Sequence, residues 1–216
     1  MDKNTVYVAI DVEASGSKLG LHSMLSLGAC VVSREMMSYA EYNKNNLIFY
    51  AELKPSSLLF EKEAMKVGAS QLECLETARR NNPLFDPSNE IFDPYVVLQF
   101  MKEDCETPDG AMWRFERWVK KHAGEHEVVG VTDTVFFDSG YFNLCFGSHS
   151  PSSSSSPFGW KGLDLGSLYK GYEKRSDVHL KELHVPDNRT KPHRADHDAV
   201  YLAQIAHELL FEKLKW

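Results

Sequence analysis

The sequence predicts an α/β fold, a mixed sheet flanked by helices, and three observations predict it. Three strand-like runs crowd the first quarter of the chain, joined by short connections. Beyond about residue 60, helical patterns alternate with short apolar runs. No internal repeat and no long series of evenly spaced strands argues for a bundle, solenoid or β-sandwich. With 216 residues, 43% of them hydrophobic and 12% aromatic, the chain suits a single domain over residues 1–216 with an ample core.

The first strand is read over residues 5–12, and SMLSLGACVVS supplies a second near 25–33. Asn43 to Asn46 form a turn, LIFYAEL (47–53) is the third strand, and Pro55 ends it. Such short connections imply antiparallel pairing. From Phe60 to Arg80 the pattern is helical, with Phe60, Ala64, Val67, Leu72 and Leu75 recurring around an interruption at Gly68. Residues 81–94 carry three prolines and read as irregular, part of an insertion over 81–108. Thr107, Pro108 and Asp109 are helix-start signals for a stripe of Met112, Phe115, Trp118 and Val119. VVGV (128–131) is a short central strand, and 136–146 is helical with Asp138, Phe142 and Cys145 on one face. The serine run at 148–157 has nothing to pack with and is expected to be a flexible loop. GLDLGSLYKGY is a fifth strand running into a short helix. After a turn-rich approach the last helix spans about 195–213, its stripe formed by Ala199, Leu202, Ile205, Ala206 and Leu209.

The net charge of −7 argues against a protein that grips long duplex DNA by its backbone, which calls for a basic surface. Nucleic-acid contact would have to be local, short, or routed through cations. No run approaches the ~20 apolar residues of a membrane span. The N-terminus starts acidic and enters the first strand at once, unlike a signal peptide. Cys30, Cys74, Cys105 and Cys145 lack close spacing and read as scattered free thiols of an intracellular protein, cytoplasmic or nuclear.

Against this background four carboxylates stand out. Asp11 and Glu13 are two apart in an apolar strand, so they share a face with Ala9 while Ile10 and Val12 point the other way. Two carboxylates so placed repel unless a cation lies between them. Asp138 interrupts an aromatic segment; Asp133, five residues earlier, falls in the preceding loop. Asp198 occupies the first turn of the last helix on its apolar side, where it needs a partner or a metal. Asp196 and His197 point elsewhere around the axis and read as a cap, a first-turn charge or solvated side chains, and His193 precedes the helix. Taken singly, each has an ordinary structural reading: a turn residue for Asp11, a cap for Asp138, a dipole partner for Asp198, an idle loop histidine for His193. Together, four acids at element ends around one sheet select hard divalent ions over zinc. Two such ions ~4 Å apart suit phosphoryl displacement, and a histidine beside them suits general-base work.

These residues resemble the DnaQ-like 3′-to-5′ exonucleases of the DEDD group, in its histidine-bearing (DEDDh) subclass. Asp-x-Glu after a hydrophobic strand is Asp11 and Glu13 in AIDVEASG. The second motif is Asp138 in VFFDSGYF, and His-x-Ala-x-x-Asp is His193, Ala195 and Asp198 in HRADHDA. The resemblance implies a ribonuclease H-like mixed five-stranded sheet, three antiparallel N-terminal strands followed by parallel ones. It implies two magnesium or manganese ions, one on Asp11, Glu13 and Asp198, the other on Asp11 with water-mediated help from Asp138. His193 would deprotonate the attacking water, and nucleoside 5′-monophosphates would leave from a free 3′ end of DNA or RNA. Ala14, Ser15, Gly16, Leu19 and His22 would lie at the terminal nucleotide. A homodimer is left open. ASG departs from the threonine that many relatives place before the glycine, and neither 81–108 nor the serine run has a family counterpart. The alternatives are a non-catalytic nucleic-acid-binding or scaffold protein on this fold, disfavoured because no ligand is lost, and a structure-specific endonuclease.

Overall fold

In the computed structural model, which describes residues 5–150 and 156–216, the three N-terminal runs are β1 (Thr5–Ala14), β2 (Met24–Val31) and β3 (Ile48–Glu52), paired as an antiparallel meander. β4 (Glu127–Thr132) adds parallel to the other edge of β1, and β5 (Gly162–Asp164) adds parallel to β4. The sheet order is β3-β2-β1-β4-β5. The expected five-stranded mixed sheet is therefore the observed one.

Alternation along β1 decides how the sheet is covered. Val8, Ile10, Val12 and Ala14 enter one core with Phe115 of α5 (Pro108–Ala123) and Phe142 of α6 (Asp138–His149). Ala9 enters the opposite core with Ala199, Leu202 and Ala206 of α8 (Ala195–His207), which continues as a π-helical stretch over Glu208–Lys213. Because side chains alternate, Asp11 and Glu13 stand on the α8 side. Burial of Val8, Ile10 and Val12, each under 5% exposed, fixes that register: a one-residue slip would drive both carboxylates into the α5–α6 core.

A third cluster lies beyond β2 and β3. It joins α2 (Lys62–Gly68), α3 (Glu76–Asn81) and α4 (Pro94–Asp104) through Met65, Leu72, Leu75, Phe85, Phe92, Leu98 and Met101. Here the structure corrects the sequence reading. The segment from Phe60 to Arg80 divides into two short helices at the expected interruption, Gly68, but Phe60 and Val67 of its expected stripe are on the surface. The break follows Gly68, whose bare backbone lies against Ala14 and the Glu13 carboxylate. The stretch 81–108 is irregular only at its start. Asp93 accepts a hydrogen bond from the Tyr95 N–H at 2.9 Å and Pro94 sits at the first position of α4, an ordinary helix start. Phe85 and Phe92 pin the preceding loop into the core. A further helix, α1 (Tyr39–Lys44), precedes the expected turn, its start marked by the Ser38–Glu41 capping box. α7 (Leu165–Glu173) follows β5 as expected. Of the serine run, residues 151–155 lie outside the described residues.

Candidate active site

The site forms where β1 outruns β4. Their pairing ends at Ala9–Val131, so the next stretch of β1 has an uncovered edge. Asp138, first residue of α6, fills it: its Oδ1 accepts the Val12 N–H at 3.3 Å. Its Oδ2 accepts the Thr132 hydroxyl at 2.9 Å and also that of Thr134. The aspartate thus stands at the carboxyl ends of two parallel strands, the usual location for a ligand site in open α/β sheets.

The opposite wall comes from α8. Gly28 is the cross-strand partner of Asp11, and a Cβ there would run into the Ala195 carbonyl and Asp196 amide. Glycine at 28 therefore lets the first turn of α8 lie directly on the sheet beside Asp11. Asp198 is held from two sides. Its Oδ2 accepts the His193 N–H at 3.1 Å, and its Oδ1 accepts Arg189 Nη1 at 2.9 Å. His193 adopts φ 64°, a left-handed conformation that costs a non-glycine residue energy. Its exposed side chain stands near the two acids, so that Glu13, His193 and Asp198 place one donor atom each within 4.8 Å of one another.

Crowding of these acids has an electrostatic signature. Burial, then the charges of Asp138, Glu13 and Asp198, hold the Asp11 carboxyl well above the usual range. Burial and the same neighbours lift Glu13 to about 8, and burial lifts Asp138 to about 6 against the pull of its threonine hydrogen bonds. Among the described residues, Asp11 Oδ2 is buried with no hydrogen-bond partner. An orphaned carboxylate oxygen among like charges is what a hard cation would satisfy, and an all-carboxylate set with one histidine fits magnesium or manganese. Asp133 remains in the loop after β4 and is exposed.

Asp196 and His197 are not solvated: both are buried. Arg194 Nε donates to Asp196 Oδ1 at 2.7 Å, the Tyr39 hydroxyl donates to Oδ2 at 2.6 Å, and the His197 ring stacks on Tyr39 at 4.0 Å. Arg194 also reaches Glu73 Oε1 at 2.6 Å, tying α8 to the third cluster. Arg189 has one sequence signal, the turn pattern Asp187-x-Arg189, and the pair is bidentate at 2.9 and 2.6 Å. Finally, the 14–16 turn is fastened internally. Ser15 is buried, donating to the Leu59 carbonyl at 2.9 Å and accepting the Ser23 N–H at 2.9 Å. The Gly16 carbonyl accepts the Tyr141 hydroxyl at 2.6 Å, and the His22 ring fills the space a Cβ on Gly16 would need. His22 Nδ1 accepts the Lys18 N–H at 3.0 Å. Ala14 is buried, whereas Leu19 is exposed over Gly140 in the first turn of α6.

No family model matches the chain. A similar curated protein is the 3′-5′ DNA exonuclease Cap18 of Escherichia coli, 29% identical over 212 residues, covering 97% of this chain and 92% of that protein. Among solved structures, the nuclease domain of 3′hExo, a DEDDh family member bound to rAMP, superposes with a TM-score of 0.65 at 16% identity, over 99% of this chain and 96% of that one. Pop2p of S. pombe, in a form with bound Mg2+ and Mn2+, superposes with a TM-score of 0.59 at 14% identity, over 97% of this chain and 84% of that one. At such identities the solved structures speak to the fold alone. The chain is thus similar over nearly its whole length to a 3′-5′ DNA exonuclease and shares its fold with a DEDDh nuclease.

Proposed function

We propose that this chain hydrolyses phosphodiester bonds from the 3′ end of a nucleic acid, releasing nucleoside 5′-monophosphates, with two magnesium or manganese ions held by Asp11, Glu13, Asp138 and Asp198. The observation that carries the reading is the buried, unpartnered Oδ2 of Asp11, set among acids whose charges raise one another. When bound, such ions supply a water nucleophile at neutral pH and stabilise the attacking and leaving oxygens. The chain's own residues do the rest. Thr132 and Thr134 aim Asp138, and Arg189 with the His193 amide aims Asp198. His193, exposed beside Glu13 and Asp198, takes the proton of the attacking water. Leu19 on Gly140 and the fully exposed Phe136, two residues before Asp138, offer apolar surface to the terminal base, while the backbone of Ala14 to Gly16 borders its sugar. Like the relative named for DNA, the chain is assigned DNA as substrate, in single-stranded or frayed 3′ ends, since its net charge of −7 suits few phosphate contacts.

The test is digestion of matched 5′-labelled DNA and RNA oligomers, single-stranded and duplex, with magnesium. A ladder shortening from the 3′ end, fastest on single-stranded DNA, is expected. His193→Ala and Asp198→Asn should each lose ~10²-fold or more. Full activity in His193→Ala would remove the base role. No mononucleotide release at micromolar protein would return the chain to the scaffold reading, and cutting of circular single-stranded DNA to the endonuclease reading.

A further inference from the structure

A second donor cluster lies away from the acidic site and has different chemistry. Glu52 at the end of β3, Cys74 before α3 and Cys105 after α4 place a carboxylate oxygen and two thiol sulfurs within 4.8 Å of one another. Far apart in the sequence, Cys74 and Cys105 are brought together by the fold as free thiols.

Backbone bonds set each donor in place. The Cys74 N–H donates to Glu52 Oε2 at 2.8 Å, and the Glu73 N–H and the Tyr50 hydroxyl each donate to Oε1 at 2.5 Å. The residue after Cys105 is laced to the same strand end: the Glu106 N–H donates to the Glu52 carbonyl at 3.2 Å, and the Lys54 N–H to the Glu106 carbonyl at 2.8 Å. The Cys74 thiol is itself hydrogen-bonded to the Cys105 sulfur and to the Glu52 carboxylate, so the three donors face one another. Among the described residues, Glu52 has no ion-pair partner within 4.0 Å.

We propose that Glu52, Cys74 and Cys105 form a binding site for one thiophilic divalent ion of the zinc class, which pins α2–α4 to the edge of the sheet. Two sulfurs and one carboxylate select zinc over magnesium, the reverse of the all-oxygen preference at Asp11. Binding deprotonates both thiols and forms two metal–sulfur bonds and one metal–oxygen bond, with two protons released to solvent and no electron transfer. The fourth tetrahedral position goes to water, which reaches the site because Glu52 and Cys74 are only half-buried. Cys74 adjoins Glu73, which pairs with Arg194 at 2.6 Å, so the ion also steadies a contact to the start of α8.

The experiment is cobalt titration of the full-length reduced protein, followed by absorption, because cobalt bound to thiolates gives a near-ultraviolet charge-transfer band that cobalt on carboxylates lacks. The band should saturate near one equivalent, be displaced by zinc, and vanish in Cys74→Ser and Cys105→Ser but persist in Cys145→Ser. Zinc at a hundredfold excess over Kd should raise the Tm of the wild type by roughly 5–10 °C beyond its effect on Cys105→Ser. The proposal is overturned if the wild type shows no thiolate band, if the band survives both substitutions, or if the reduced pair takes no metal while peroxide joins it as a disulfide. Loss of exonuclease activity plays no part in these readouts, so the site stands or falls apart from the catalytic reading.

Discussion

Asp11 carries conflicting demands. Burial and four acidic neighbours destabilise its ionised form, yet the same crowding makes it the ligand expected to touch both ions. Asp11→Asn should therefore lower exonuclease activity by at least ~10³-fold, more than any other single acid, while raising the Tm of the chelator-treated protein by a few degrees, about 1 kcal/mol or more. Steady-state rates and thermal melts in EDTA check both halves. The raised carboxyls also fix a pH dependence. Glu13 moves from 4.5 to about 8 and Asp138 from 3.8 to about 6, so the folded chain keeps protons the unfolded chain has lost. The cluster's contribution is then full below pH ~4 and falls as pH rises toward 8. Magnesium, which needs the ionised forms, should raise the Tm more at pH 8 than at pH 5.5, and this gain should shrink in Asp11→Asn. A magnesium effect independent of pH would contradict the shifts. The four acids stood out in the sequence because an acid in an apolar pattern needs a reason, whereas His193, ordinary taken singly, gains its role only through the resemblance. Arg189 did not stand out, since a surface-looking arginine in a polar turn carries no such contradiction.

At the scale of elements, the close approach of α8 to β2 decides whether the site exists. Gly28→Ala would force the Ala195 carbonyl and Asp196 amide away from the strand, and Asp198 rides on that turn. We expect a loss of about 3 kcal/mol, seen as a Tm lower by roughly 6–12 °C, and loss of most activity even where the protein remains folded. Activity at the wild-type level in a folded Gly28→Ala protein would show that α8 need not lie on the sheet. β1 and β2, buried on both faces, were readable as short apolar runs, and α5 by its apolar stripe behind a Thr107–Pro108 start. The helix at Pro94–Asp104 was hidden by its three-proline approach, although Asp93 and Pro94 spelled an N-terminus. Asp196 is a first-turn acid, as one reading allowed, but neither it nor His197 is solvated. Counting angles around α8 assumed solvent on its outer side, whereas Tyr39 covers that side and receives His197 as a stacked partner. Tertiary cover of this kind leaves no mark on local periodicity.

Across the whole molecule, the net charge of −7 limits how the chain can hold its substrate. A strand gripped at its last few phosphates, through ions and a short turn, should bind with a shallow salt dependence. A log–log slope of KM near 1–2 is expected, corresponding to about two neutralised phosphates, and a slope beyond about 4 would reveal an extended basic track. The architecture converges three separate elements on one point: β1 brings Asp11 and Glu13, α6 brings Asp138, and the α8 approach brings His193 and Asp198. The most direct measurement of that convergence is anomalous diffraction from a crystal soaked in millimolar manganese. Two peaks ~4 Å apart among Asp11, Glu13, Asp138 and Asp198, with Asp11 bridging them, are expected. No peak among these carboxylates, or a pair that Asp11 does not touch, would contradict the account.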